Sequence, residues 1–191
     1  SLTSDQVINL TQGLGDKDEI RFRLVSFDRD LDTLNVDAPL LLSAYGEWTK
    51  QSGFYEVTMG KKPTVLRYID KMLGRPMKAK DADILLYTEQ TFEEFPDYWT
   101  TDLSFKTPKK MTDANPQLAE YKWGRRVLVD YTDQRGNKLQ ATLALPAGYE
   151  AGKKYPMIIY FYEKMSQRHH QFSMPTYDDR PHMSTYASNG Y

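Results

Sequence analysis

Three histidines near the carboxyl end of the chain are the side chains best suited to bind a metal ion. His169 and His170 are adjacent, and His182 follows a stretch that contains Asp178 and Asp179. This spacing matches no common zinc pattern, and neighbours in an extended segment would point to opposite sides. We therefore predict a polar surface loop here and no metal site.

Alternating aspartates form a second candidate site, at Asp28, Asp30, Asp32 and Asp37. The pattern is reminiscent of a calcium-binding loop. However, the glycine and the closing glutamate of that motif are absent. A solvated acidic loop is the simpler prediction.

Composition removes several classes of function. The 191 residues include no cysteine, which excludes disulfides, thiolate metal sites and a cysteine nucleophile. With 25 basic and 26 acidic residues the net charge is −1, so nothing favours nucleic acid or an anionic membrane as a partner. No apolar run approaches the ~20 residues of a membrane-spanning helix. The cellular compartment stays undetermined by composition, because cysteine-free chains suit both cytosol and periplasm.

Short apolar segments with period-2 alternation predict a mainly β fold. In the segment 20–27, Ile20, Phe22 and Leu24 share one face and the arginines the other. Turn residues separate the predicted strands, which are residues 7–11, 20–27, 40–45, 53–58, 64–68, 84–89, 98–103 and 109–112. Residues 9–11 and 110–112 resemble closing strands about two repeats apart, at ~40–50 residues per propeller blade. A β-sandwich fits the same spacing.

The last 70 residues change in character. A hairpin is predicted from strands 127–132 and 138–145, joined by a turn that contains Gly136. Six apolar or aromatic residues then occupy 157–162, after Lys153, Lys154, Tyr155 and Pro156. Such a run is typical of a strand buried on both faces of an α/β sheet. Residues 182–189 are predicted to form a short helix capped by Gly190.

Seven short motifs appear in order along the chain. They are Phe95-Pro96-Asp97, Thr112-Asp113-Ala114-Asn115-Pro116-Gln117, Asp133-x-x-Gly136, Leu143-x-x-Pro146, Lys154-Tyr155-Pro156, Tyr160-Phe161-Tyr162-Glu163 and Tyr186-Ala187-Ser188-x-Gly190-Tyr191. Together they resemble the prolyl oligopeptidase family of serine peptidases, in particular its dipeptidyl-peptidase-like and acylaminoacyl-peptidase-like branches. The match is best from about residue 79 to residue 191.

The resemblance implies two partial domains. Residues 1–116 would be the last blades of a β-propeller. Residues 117–191 would be a connector and the first strands of an α/β-hydrolase domain. The family hydrolyses small peptides with Ser, Asp and His, the serine lying in a Gly-x-Ser-x-Gly turn. This chain has no such turn. We therefore expect the triad to lie beyond residue 191, and the chain alone to be inactive.

The resemblance also implies one catalytic residue and no cofactor. A family tyrosine at the end of the strand after Lys-Tyr-Pro donates its hydroxyl to the oxyanion, and Tyr162 matches it. Glu89, Glu93 and Glu94 are not equated with the glutamates that bind the substrate amine in the dipeptidyl-peptidase branch, which belong to an earlier blade. Because relatives are often exported, a periplasmic or extracellular location is favoured. The alternative to a peptidase is a non-enzymatic propeller or sandwich that serves as a binding module.

Overall fold

The computed structural model of the chain describes residues 7–27, 33, 35–178 and 180–191. Its fold is mainly antiparallel β. The strands are β1 (Ile20–Leu24), β2 (Leu40–Gly46), β3 (Ser52–Val57), β4 (Thr64–Ile69), β5 (Met72–Leu73), β6 (Met77–Lys78), β7 (Ile84–Gln90), β8 (Asp97–Asp102), β9 (Lys109–Lys110), β10 (Arg125–Thr132) and β11 (Lys138–Leu145). Two short α-helices are α1 (Leu14–Asp18) and α2 (Met183–Ser188), and a 3₁₀ helix spans Pro116–Glu120.

Two consecutive antiparallel sheets make up the first part of the fold. In the first sheet β1, β2, β3 and β4 pair in chain order. In the second, β7 is central and pairs with β5, β6 and β8, while β9 pairs with β8 at the edge. Each sheet is therefore a meander of neighbouring strands, and neither closes on itself. Most of the strands predicted between residues 20 and 112 are confirmed.

The first sheet has two different faces because its side chains alternate. On one face Leu42, Ala44, Tyr55 and Val57 form a buried cluster with Ile20. On the other, the buried Phe54 packs against the second sheet, where its ring stacks on Phe105 with centroids 4.6 Å apart. The second cluster, which also contains Leu85 and Tyr87, therefore joins the two sheets.

The β10–β11 hairpin and the final helix match their predictions. All eight residues of β10 pair in register with β11, from Arg125 with Leu145 to Thr132 with Lys138. In the turn, Asp133 accepts hydrogen bonds from the backbone N–H groups of Arg135 and Asn137 at 2.8 Å each. Helix α2 docks on the end of β11, where the Ala147 N–H donates to the Ala187 carbonyl at 3.0 Å.

Two strand predictions are wrong. Residues 7–11 form no strand and lead into a turn that begins at Leu10, where the Asn9 side chain accepts hydrogen bonds from both the N–H and the hydroxyl of Thr11. Residues 157–162 belong to no strand, and their exposed fractions run from 46% to 81%. A strand buried on both faces needs hydrogen-bonding neighbours and covering layers. No described strand pairs with this segment.

Three further findings concern the predicted loops and membrane spans. Most of the predicted acidic loop, including Asp28, Asp30 and Asp32, lies outside the described residues, as does Asp179. Helix α1 and the two-residue strands β5 and β6 were not predicted. Among the residues described, no helix is long and apolar enough to cross a membrane.

Candidate functional site

Tyr162, the predicted oxyanion donor, lies on the exposed apolar segment 157–162. Its side chain is 80% exposed, and in the described part of the chain its hydroxyl has no hydrogen-bond partner. Just before the segment, Tyr155 contacts the turn that precedes it. There the Tyr155 hydroxyl accepts a hydrogen bond from the Glu150 N–H at 3.0 Å, and its ring lies 5.3 Å from that of Tyr149. The described residues thus bring no second catalytic group to Tyr162.

Two of the sequence motifs meet at Asp97. This carboxylate, at the start of β8, is 7% exposed. It accepts hydrogen bonds from the Thr112 hydroxyl at 2.7 Å and from the Ala114 N–H at 2.8 Å, and Lys110 lies 2.8 Å away. Burial alone would raise the pKa of Asp97, but these contacts together hold that pKa below its usual value. Phe95-Pro96-Asp97 is therefore bound to the motif that begins at Thr112.

An aromatic cluster connects the second sheet with the carboxyl-terminal region. The Trp123 indole N–H donates to the Phe92 carbonyl at 2.7 Å, and its ring stacks on Phe172 at 5.3 Å. Phe95 packs edge-on against the same Phe172 ring at 5.2 Å. These contacts fix the connector after β9 against the loop between β7 and β8.

The adjacent histidines are buried, so the prediction of a polar surface loop at His169 and His170 is wrong. They are 9% and 8% exposed, and their rings lie 4.6 Å apart because the chain turns there. Nε2 of His170 lies 3.0 Å from the Asp70 carboxylate. Arg126 donates to the carbonyls of Arg168 and Gln171, which fixes the loop onto β10.

Burial also determines the charge of these groups. Desolvation, aided by the neighbouring His170 and Arg126, lowers the pKa of His169 to about 4. Desolvation lowers the pKa of His170 as well, although Asp70 opposes that shift. His182, by contrast, pairs with Asp178 at 2.9 Å near the start of α2. Within the described ranges, no group of three or more potential ligands is arranged to hold a metal ion.

Glu89 forms an internal ion pair between the two sheets. The Glu89 carboxylate is 3% exposed and binds the Arg67 guanidinium of β4. The Tyr87 hydroxyl donates to the same carboxylate oxygen at 2.9 Å. Arg67 belongs to the first sheet and Glu89 to the second, so this ion pair joins the two sheets, whereas the Tyr87 contact lies within β7. Glu93 and Glu94 are exposed, and Glu94 pairs with Lys71.

A cleft of about 400 Å³ separates the arginine face of β1 from the β5–β6 turn. Its basic lining residues are Arg21, Arg23, Lys50 and Arg75, with His170 at one side. Sequence reasoning did not identify this cleft. The available signal was the alternation of arginines in β1, which places Arg21 and Arg23 on one face. The remaining members come from other strands and loops, so only the folded chain brings them together.

Comparison with known proteins shows a likeness of fold. No protein-family model and no curated protein matches the chain. A solved structure titled AtxE2 isopeptidase, in the apo form, is similar with a TM-score of 0.50 and 18% identity, over 64% of this chain and 19% of that chain. A serine-to-alanine variant of this isopeptidase with Astexin3-dC4 bound gives a TM-score of 0.46 and 17% identity, over 73% of this chain and 26% of that chain. The chain thus spans about a fifth of the apo isopeptidase, and the likeness shows a mainly β fold similar to part of a peptidase.

Proposed function

We propose that this chain is part of a serine peptidase of the prolyl oligopeptidase type. The observation that carries the proposal is the meeting of ordered motifs in space, with Asp97 bound to Thr112 and Ala114. A fold similar to part of a peptidase supports it. The two sheets would be blades of a propeller, and the β10–β11 hairpin would begin the hydrolase domain.

The proposed reaction is acyl transfer to a serine that follows residue 191. Its hydroxyl would attack the carbonyl of a peptide while a histidine, oriented by an aspartate, takes the hydroxyl proton. The histidine would then give that proton to the leaving amine as the C–N bond breaks, and water would hydrolyse the acyl-enzyme. Tyr162 would donate its hydroxyl to the oxyanion, beside a backbone N–H next to the serine. An exposed, unpartnered hydroxyl is free to take such a partner. No cofactor enters this mechanism.

The exposure of residues 157–162 contradicts the expectation of a buried strand, and the proposal must account for it. Fully burying one large apolar side chain is worth about 1.5–3 kcal/mol, so six in a row favour a covering layer. In the proposal that layer is the remainder of the hydrolase sheet. The proposal therefore requires a longer protein in which this segment pairs with further strands.

The test begins with the reading frame beyond Tyr191. The peptidase proposal predicts Gly-x-Ser-x-Gly within about 100 residues, and a protein that hydrolyses short peptides and is labelled by a fluorophosphonate at that serine. The 191-residue chain is expected neither to hydrolyse peptides nor to be labelled by the fluorophosphonate. A further series of blade repeats, without hydrolysis, would instead support the binding module.

Tyr162→Phe tests the role of the hydroxyl in that longer protein. Removing one oxyanion donor lowers turnover by roughly 10- to 1,000-fold, mainly in kcat. Tyr160→Phe is the matched control, because Tyr160 lies in the same segment and is 46% exposed. Equal turnover of the Tyr162 variant and wild type, with an unchanged fold by circular dichroism, would remove Tyr162 from the mechanism.

A further inference from the structure

We propose that the cleft between β1 and the β5–β6 turn binds the carboxylate of a small organic acid. Four cationic side chains line it, and among the described residues that line it there is no aspartate or glutamate. The chain as a whole has slightly more acidic than basic residues. The positive lining is therefore a local feature of the fold, and it does not follow from the composition of the chain.

The arginines have unused hydrogen-bonding capacity. Arg23 has no partner for its side chain among the described residues. Arg75 donates through one nitrogen to the Ser26 carbonyl at 2.7 Å, which leaves most of its five N–H groups available. Of these three arginines, Arg21 alone has a carboxylate partner in the described part of the chain, Glu47 at 3.4 Å. A guanidinium offers two parallel N–H donors that match the two oxygens of a carboxylate.

Two neighbouring groups add to the case for an anion. The ammonium of Lys50 is held in the wall by the Glu47 carbonyl, although the residue is only 6% exposed. Tyr45 pairs with Arg21 across the strands and also lines the cleft. Its hydroxyl oxygen is buried and has no hydrogen-bond partner. Burial raises the pKa of Tyr45 to about 12, so the hydroxyl keeps its proton and remains a donor.

The rest of the lining indicates an organic ligand. Leu24, Val25, Phe54, Leu73 and Pro76 contribute apolar surface. Cavities of ~300–1,000 Å³ hold small molecules in proteins, and a bare inorganic anion would leave this one mostly unfilled. The inference concerns residues outside the motifs that suggest a peptidase. It therefore stands or falls independently of the proposed function.

Titration of the 191-residue chain with N-acetyl-phenylalanine, followed by calorimetry and by NMR shifts, tests the inference. N-acetyl-phenylalanine amide keeps the apolar side chain and lacks the negative charge, whereas inorganic phosphate carries negative charge and has no apolar group. We expect the acid to bind one-to-one, at least about tenfold more tightly than either comparator, because one charge-assisted hydrogen bond is worth about 1.5–3 kcal/mol. No binding, or equal binding of the amide or of phosphate, would overturn the proposal.

Arg23→Gln and Arg135→Gln form the matched pair of variants. Both remove one positive charge, but Arg135 lies in the turn of the β10–β11 hairpin and does not line the cleft. We expect Arg23→Gln to weaken binding of the acid about tenfold or more and Arg135→Gln to leave it within twofold. Equal effects of the two would indicate general charge attraction and refute a specific site.

Tyr45→Phe gives a second readout that does not depend on charge. Because the hydroxyl has no partner in the free protein, its removal should leave the free energy of unfolding unchanged or higher. The same variant should bind the acid several-fold more weakly. A loss of stability with unchanged binding would show that this hydroxyl serves the fold and not a ligand.

Discussion

Replacing Glu89 by glutamine is expected to destabilise the contact between the two sheets. The variant keeps the shape of the side chain and an oxygen that can accept from the Tyr87 hydroxyl. It removes the negative charge that faces Arg67. The guanidinium is then left with no counter-charge in a site where its side chain is only 19% exposed. Its Nε already has no hydrogen-bond partner.

The expected magnitude follows from this burial. Removing one member of a buried ion pair costs about 3–5 kcal/mol, and partial solvent access to Arg67 reduces that loss to about 2–4 kcal/mol. Domains are stable by only about 5–15 kcal/mol, so the loss is a large fraction of the total. With a urea slope of about 2 kcal/mol/M, the unfolding midpoint should fall by roughly 1–2 M.

Urea unfolding followed by tryptophan fluorescence measures this shift. Glu93→Gln is the control, because Glu93 is exposed and lies in the loop that follows β7; its free energy of unfolding should stay within about 0.5 kcal/mol of wild type. The double variant Arg67→Met/Glu89→Gln also removes the uncompensated guanidinium and keeps an oxygen that accepts from the Tyr87 hydroxyl, so it should regain most of the loss. A single variant as stable as wild type, or a double variant less stable than the single one, would refute the reasoning.

Two further predictions concern pH and hydrogen bonding. Asp97→Asn should lower the free energy of unfolding by about 1–3 kcal/mol at neutral pH, because it removes the charge that its hydrogen-bond donors stabilise. The folded pKa of Asp97 is depressed, so the difference between the urea midpoints of variant and wild type should be full above pH ~4. That difference should shrink as the pH falls through the folded pKa. A difference that grows with acidity would contradict this. His169, with a folded pKa of about 4 and an unfolded pKa of about 6.5, should contribute stability above pH ~6.5 that is lost between pH ~6.5 and ~4. His169→Gln should flatten that part of the stability profile and His182→Gln should not, and equal profiles would be evidence against a buried neutral His169.

The strands of the two sheets could be predicted because their pattern is local. Alternation in the segment around Phe22 and the turn at Gly136 report directly on backbone conformation. The strand prediction for residues 7–11 was wrong because the Asn9 side chain bonds the Thr11 N–H, a backbone group that a strand would have used. The periodicity of apolar residues carries no information on such competition between a side chain and a neighbouring strand for the same backbone group.

The buried histidines and the cleft could not be predicted for a different reason. His169 and His170 contact Arg126 and Asp70, which are distant in sequence, and their polarity alone suggested a surface loop. The cleft likewise combines β1 with the β5–β6 turn. Sequence spacing predicts which residues share a strand face, but it does not predict which faces pack against each other in the folded chain. The segment 157–162 is the opposite case: its apolar composition predicts burial, but its side chains are exposed in the described part of the chain.

Amide hydrogen exchange of residues 157–162 tests the central claim most directly. In the longer protein the proposal predicts slow exchange, close to that of the buried strand β3, because these amides would be bonded within the hydrolase sheet. In the 191-residue chain the same amides should exchange rapidly, while those of β3 stay protected. Rapid exchange of residues 157–162 in both proteins would show that the segment is no inner strand and would contradict the peptidase assignment.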